Sequence, residues 1–61
     1  MKGEIWIYLE SGKSYLVMFE GKMKMENAIE WANSVTYHCP ETGLYFTRDK
    51  ETFLQRFAKE T

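Results

Sequence analysis

Gly3 to Gly21 reads G-E-I-W-I-Y-L-E-S-G-K-S-Y-L-V-M-F-E-G, two runs of β-branched and aromatic residues either side of Ser11-Gly12. Ile5, Ile7 and Leu9 alternate with Glu4, Trp6, Tyr8 and Glu10, which predicts a strand over Gly3–Glu10. Ser14–Glu20 predicts a second strand, paired with the first as a hairpin. A two-residue Ser-Gly turn would force Ser11 to positive φ, so the expected loop has three residues, Glu10 to Gly12, with Gly12 left-handed. Loop length decides the faces, because a slip of one residue exchanges them. Three residues put Ile5, Ile7, Tyr15 and Val17 on a core face with Leu9 and Phe19, and Glu4, Trp6, Tyr8, Leu16 and Met18 on the other. The second set is too apolar to meet only water.

Beyond Gly21, Lys22-Met23-Lys24-Met25 suits either a short strand or a helix entry. Met25, Ala28, Ile29 and Ala32 recur at helical spacing, with Trp31 beside them, predicting a first helix from Met25 to Asn33. Val35–Cys39 alternates as a third strand. Pro40-Glu41-Thr42-Gly43 is a strong turn, since proline pre-sets φ and glycine accepts a left-handed last position. A four-residue loop leads to a fourth strand at Leu44–Thr47 and aligns Val35, Tyr37, Cys39, Leu44 and Phe46 on one face. Asp49 is an N-cap for a second helix from Lys50 almost to the C-terminus, with Phe53, Leu54, Phe57 and Ala58 as its apolar stripe.

These elements make one α+β domain over residues 1–61, in the order β-β-α-β-β-α, with a four-stranded, mainly antiparallel sheet and two helices. Glu10-Ser11-Gly12 and Glu41-Thr42-Gly43 echo one another. The first five elements resemble, in order alone, the immunoglobulin-binding domain of protein G and the start of the ubiquitin-like β-grasp. No residue motif carries that resemblance, and it implies no function.

A chain of 61 residues buries only about 60% of the surface it exposes when unfolded. Cys39 and His38 are the sole cysteine and histidine, so no intrachain disulfide or zinc site can reinforce the core. Two Trp, four Tyr and four Phe must supply the buried area instead. Residues 1–34 sum to −1 and residues 35–61 to zero, without the basic stripe that phosphate binding requires. No apolar run approaches a membrane span, no signal-peptide pattern opens the chain, and a lone thiol points to the cytoplasm.

Candidate chemistry is sparse. Adjacent strand residues diverge, so His38 and Cys39 do not form a nucleophile–base pair, and Cys39 reads as a small core residue. Cys39-Pro40-Glu41-Thr42-Gly43 resembles one zinc-ribbon knuckle, with Thr42 where the second cysteine would stand. No catalytic, cofactor or metal-binding motif is present. A stacking platform for single-stranded nucleic acid could combine Trp6, Tyr8 and Tyr45 with Lys13, Lys22 and Lys24. Against this stands the outward apolar set Trp6, Tyr8, Leu16, Met18 and Tyr45, which needs a cover: the second helix, a second copy of the chain or another protein. The expectation is a non-catalytic protein-interaction module of the adaptor, inhibitor or phage-accessory type, with a homodimer as the first candidate assembly; the alternatives are a single-stranded nucleic-acid binder and a stand-alone structural domain.

Overall fold

Leu9 to Gly12 close the first hairpin in the computed structural model, which describes residues 1–24, 26 and 29–60. The Gly12 amide donates to the Tyr8 carbonyl at 2.7 Å and the Tyr8 amide to the Lys13 carbonyl at 2.9 Å, with Gly12 at φ 75°. That is four loop residues where three were expected, and the register moves by one. In strands β1 (Ile5–Tyr8) and β2 (Ser14–Lys24), Trp6 therefore pairs with Tyr15 and Ile5 with Leu16. The two faces are exchanged on β1: Trp6 and Tyr8 join Tyr15 and Val17 on the core side, while Ile5 turns outward. Both faces of this hairpin are apolar, so pattern alone does not choose between them. The rings win because each buries roughly 150–250 Å².

The second hairpin has the expected four-residue loop, Pro40 to Gly43, with Gly43 at φ 78° and its amide donating to the Cys39 carbonyl. It joins β3 (Trp31–His38) to β4 (Tyr45–Asp49) in the register Tyr37 to Phe46 and Val35 to Arg48. Helix α1 (Lys50–Arg56) follows, capped by the Asp49 carboxylate, which accepts from the Thr52 amide at 3.0 Å. At Phe57 the chain becomes extended and runs on as β5 (Phe57–Lys59) along the free edge of β1.

Among the described residues, five antiparallel strands in the order β4-β3-β2-β1-β5 and one helix replace the expected four strands and two helices. Part of the helix expected over Met25–Asn33 falls on Met25, Asn27 and Ala28, outside the described residues. Of the remainder, Glu26 is in a turn, Ile29 and Glu30 lie in a bend, and Trp31, Ala32 and Asn33 are strand, paired with Lys24, Met23 and Lys22. A nine-residue helix carrying Glu26 and Glu30 on one face is marginal alone, whereas pairing with an extended β2 satisfies the backbone. The expected second helix loses its last residues for the same reason, since β5 gives β1 a partner that solvent would otherwise replace. With no helix among the described residues between β2 and β3, the likeness in element order to protein G and the β-grasp also lapses.

Helix α1 links the two edge strands and so must cross one face of the sheet. Phe53, fully buried, stacks on Phe57 at 4.2 Å and meets Trp6 and Tyr37 at 5.2 and 5.4 Å. Phe57 of β5 also reaches Tyr37 of β3 at 5.0 Å, although β1 and β2 lie between them. At about 4.8 Å per strand, a flat sheet would hold those backbones roughly 14 Å apart. The sheet therefore curls around its aromatic face, helped by the bulge in β2 between Val17 and Phe19. No helix among the described residues is long and apolar enough to cross a membrane.

Candidate functional site

The helix covers one face of the sheet, and among the described residues no element covers the other, the bare face. A cross-strand row of Ile5, Leu16, His38 and Tyr45 crosses it from β1 to β4, with Phe19, Thr36 and Thr47 in the next row. The Tyr45 ring packs 4.5 Å from the His38 ring, and the Thr36 and Thr47 hydroxyls share a 2.8 Å hydrogen bond. Phe19 and Tyr45 remain 53% and 61% exposed. Thr36, paired with Phe19 on one side and Thr47 on the other, is buried.

Charge is distributed in the reverse of the usual pattern. Paired positions on the bare face carry no Lys, Arg or Glu, and the one acidic residue, Asp49, turns its carboxylate to the helix N-terminus. The helix-side face carries Glu20, Lys22, Lys24, Arg48 and Lys59 around its aromatic centre. Lys59 bonds Glu4 at 2.9 Å and Lys50 bonds Glu20 at 2.8 Å, tying β5 and α1 to the sheet. The Lys59 hydrogen bond, followed by that from the Trp6 indole, holds the Glu4 carboxyl below its ordinary value, and Lys50 does the same for Glu20.

Of the residues expected at an interface, Leu16 and Tyr45 come together on the bare face, and Met18 sits half-buried at the β2 bulge. Trp6 and Tyr8 lie on the opposite face, Trp6 against Phe53 of α1 and Tyr8 against Phe57 at 5.1 Å. Ile5 and Phe19, assigned to the core from the sequence, take their places outside. The same exchange splits the trio Trp6, Tyr8 and Tyr45 between two faces, so it forms no single stacking platform. The signal that would have found Ile5 is the echo between the two turns, whereas Phe19 is carried outside by the bulge in β2, which nothing in the sequence marks. The Ser11 hydroxyl accepts from the Lys13 amide as the Thr42 hydroxyl accepts from the Leu44 amide, and both loops have four residues.

Two further features stand on the helix side. Tyr8, Tyr15, Tyr37, Phe46 and Phe57 surround a pocket of about 80 Å³ with Arg48 at its wall. Trp31, largely exposed, and Leu54, about half exposed, flank a second groove with Asp49, Lys50 and Glu51. Cys39 is buried, and hydrogen bonding from Thr42 holds its thiol below its ordinary value. His38 lies on the bare face, away from it. Comparison of the chain with family models, curated proteins and solved structures returned no match.

Proposed function

We propose that this chain is a small non-catalytic protein-binding module that acts by occupying a partner's surface, and that its first partner is a second copy of itself. The observation that carries the proposal is the uncharged, apolar face opposite α1. A sheet face meeting only water is ordinarily polar, because antiparallel sheets place apolar residues inward and charged ones outward. Here the ion pairs Glu4–Lys59 and Glu20–Lys50 hold elements together on the helix side, while Ile5, Leu16, Phe19 and Tyr45 are presented outside. A contiguous apolar patch on a domain this small is the mark of an interface.

Self-association follows from the same charge distribution. Two copies meeting through this face about a two-fold axis bring no like charges into contact, and each row of one finds an equivalent row of the other. Phe19 and Tyr45 are the large exposed rings within it and serve as anchors. Sedimentation equilibrium over a wide concentration range tests the proposal. Wild type should dimerise reversibly, and Phe19→Asp should weaken the dimer at least about thirtyfold, as expected for a hot spot of 2 kcal/mol or more, with folding retained. A wild type that stays monomeric throughout refutes self-association.

A further inference from the structure

The proposed interface leaves the aromatic pocket on the other face unused, and there the chemistry is different. Arg48 projects from β4 among five rings, its guanidinium carbon 5.6 Å from the centre of the Tyr8 ring and its Nε donating to the Tyr37 hydroxyl at 2.8 Å. Lys13, Lys50 and Lys59 all pair with carboxylates, yet among the described residues none answers Arg48. A guanidinium has five N–H donors in a planar fork, and Tyr37 takes only the one on Nε. No side-chain nitrogen among the described residues is both buried and unpartnered, so the remaining donors reach solvent or the Tyr8 hydroxyl beside them.

We propose that this pocket receives the side chain of an acidic residue, Asp or Glu, from a partner protein. The carboxylate accepts from the open edge of the Arg48 fork, the strong geometry for this pair, and the methylene stem lies on the tyrosine and phenylalanine rings. The pocket, about 80 Å³ and open to solvent, has room for a short carboxylate side chain. Charge selects a monoanion with an apolar stem, because the walls are rings and Arg48 is the one cation among the lining residues. A methylated amine, which an aromatic cage alone would suit, is repelled by the guanidinium already there. Glu10 stands at the rim, its carboxylate accepting from the hydroxyl of the lining residue Tyr8 at 2.8 Å.

The test is an NMR titration of the intact chain with two end-capped tripeptides, acetyl-Ala-Glu-Ala-amide and its Gln counterpart. The Glu peptide should give saturable shifts confined to the Arg48 Nε–H, Tyr37, Phe46 and Phe57, and the Gln peptide should bind at least tenfold more weakly. Glu10→Gln should tighten the Glu peptide by removing a like charge, and Arg48→Gln should abolish the response while the Thr36 and Thr47 resonances stay in place. Equal responses to the two peptides overturn the proposal, as do shifts that map outside the pocket. Tighter binding of acetyl-Ala-Ala with a free terminal carboxylate overturns the assignment to a side chain. The peptide pair on wild type decides the matter even if Arg48→Gln does not fold, and neither outcome depends on the bare face.

Discussion

Replacing Phe53 with alanine should all but unfold the isolated chain. Its ring is fully buried at the one place where α1, β1, β3 and β5 meet, against Trp6, Tyr37 and Phe57. Truncating such a ring costs about 3–5 kcal/mol, counting lost transfer and the cavity left behind. At roughly 0.05–0.15 kcal/mol per residue, a chain of this length has about 3–9 kcal/mol in total. With a urea m-value near ~1 kcal/mol per molar for so small a domain, the unfolding midpoint should fall by about 3 M or more. Urea melts followed by far-ultraviolet circular dichroism would show this. The neighbouring Leu54→Ala is the internal control, since Leu54 is about half exposed and its truncation should cost under about 1 kcal/mol. If Phe53→Ala melts with wild type while Leu54→Ala does not, α1 presents its other side to the sheet and the core described above is wrong.

Trp6→Ala should lower the melting temperature of the monomer without a separate effect on association, whereas Phe19→Asp should do the reverse; sedimentation and melting on the two variants separate the faces. Gly12→Ala and Gly43→Ala should each cost about 1–2 kcal/mol from backbone strain alone, since both glycines have positive φ and an added Cβ would meet nothing within 4 Å. Glu4, Glu20 and Asp49 are all held below their ordinary values, by Lys59, Lys50 and the Thr52 amide respectively. A depressed folded value means that their contribution is complete above the ordinary carboxylate range and is lost as pH falls through the lowered values. Melting temperature should therefore drop on acidification below about pH 4.5, the ordinary value for Glu4 and Glu20, and a Glu4→Gln, Glu20→Gln double variant should flatten that decline.

Much of the second half of the chain was legible because its signals are local. Pro40 and Gly43 specify a turn, Asp49 specifies a cap, and alternation from Val35 to Thr47 separates polar from apolar cleanly. The first hairpin was harder because both its faces are apolar, so register rested on loop length alone. The competing signal was present: Glu10-Ser11-Gly12 repeats Glu41-Thr42-Gly43, and the hydroxyl bonds to Lys13 and Leu44 show the two turns to be the same structure. Reading the first loop at the length of the second would have put Trp6 inside. Trp31 to Asn33 were illegible for a different reason, since their residue types favour neither state and only pairing with Lys22 to Lys24 makes them strand. Nothing local marks β5 either. Phe57 sits at helical spacing from Phe53, and it is the free edge of β1 that draws it out.

The corrected register changes what the apolar outer residues mean. Had Trp6 and Tyr8 faced outward, α1 could have covered them, and the fold would have needed no partner. With Trp6 already against α1 and Tyr8 against Phe57 of β5, no element among the described residues is left to cover Ile5, Leu16, Phe19 and Tyr45. The molecule exposes 4491 Å², against about 4200 Å² for an average folded chain of its 7.3 kDa mass, so it has not compensated by closing more tightly elsewhere. A partner that binds only the folded chain adds its binding free energy to folding by mass action. For a domain whose whole stability is comparable to one buried phenylalanine, that addition is a large fraction of the total. The association proposed for the bare face would therefore raise the melting temperature with concentration, so Phe19→Asp is compared with wild type at a dilution where both are monomeric.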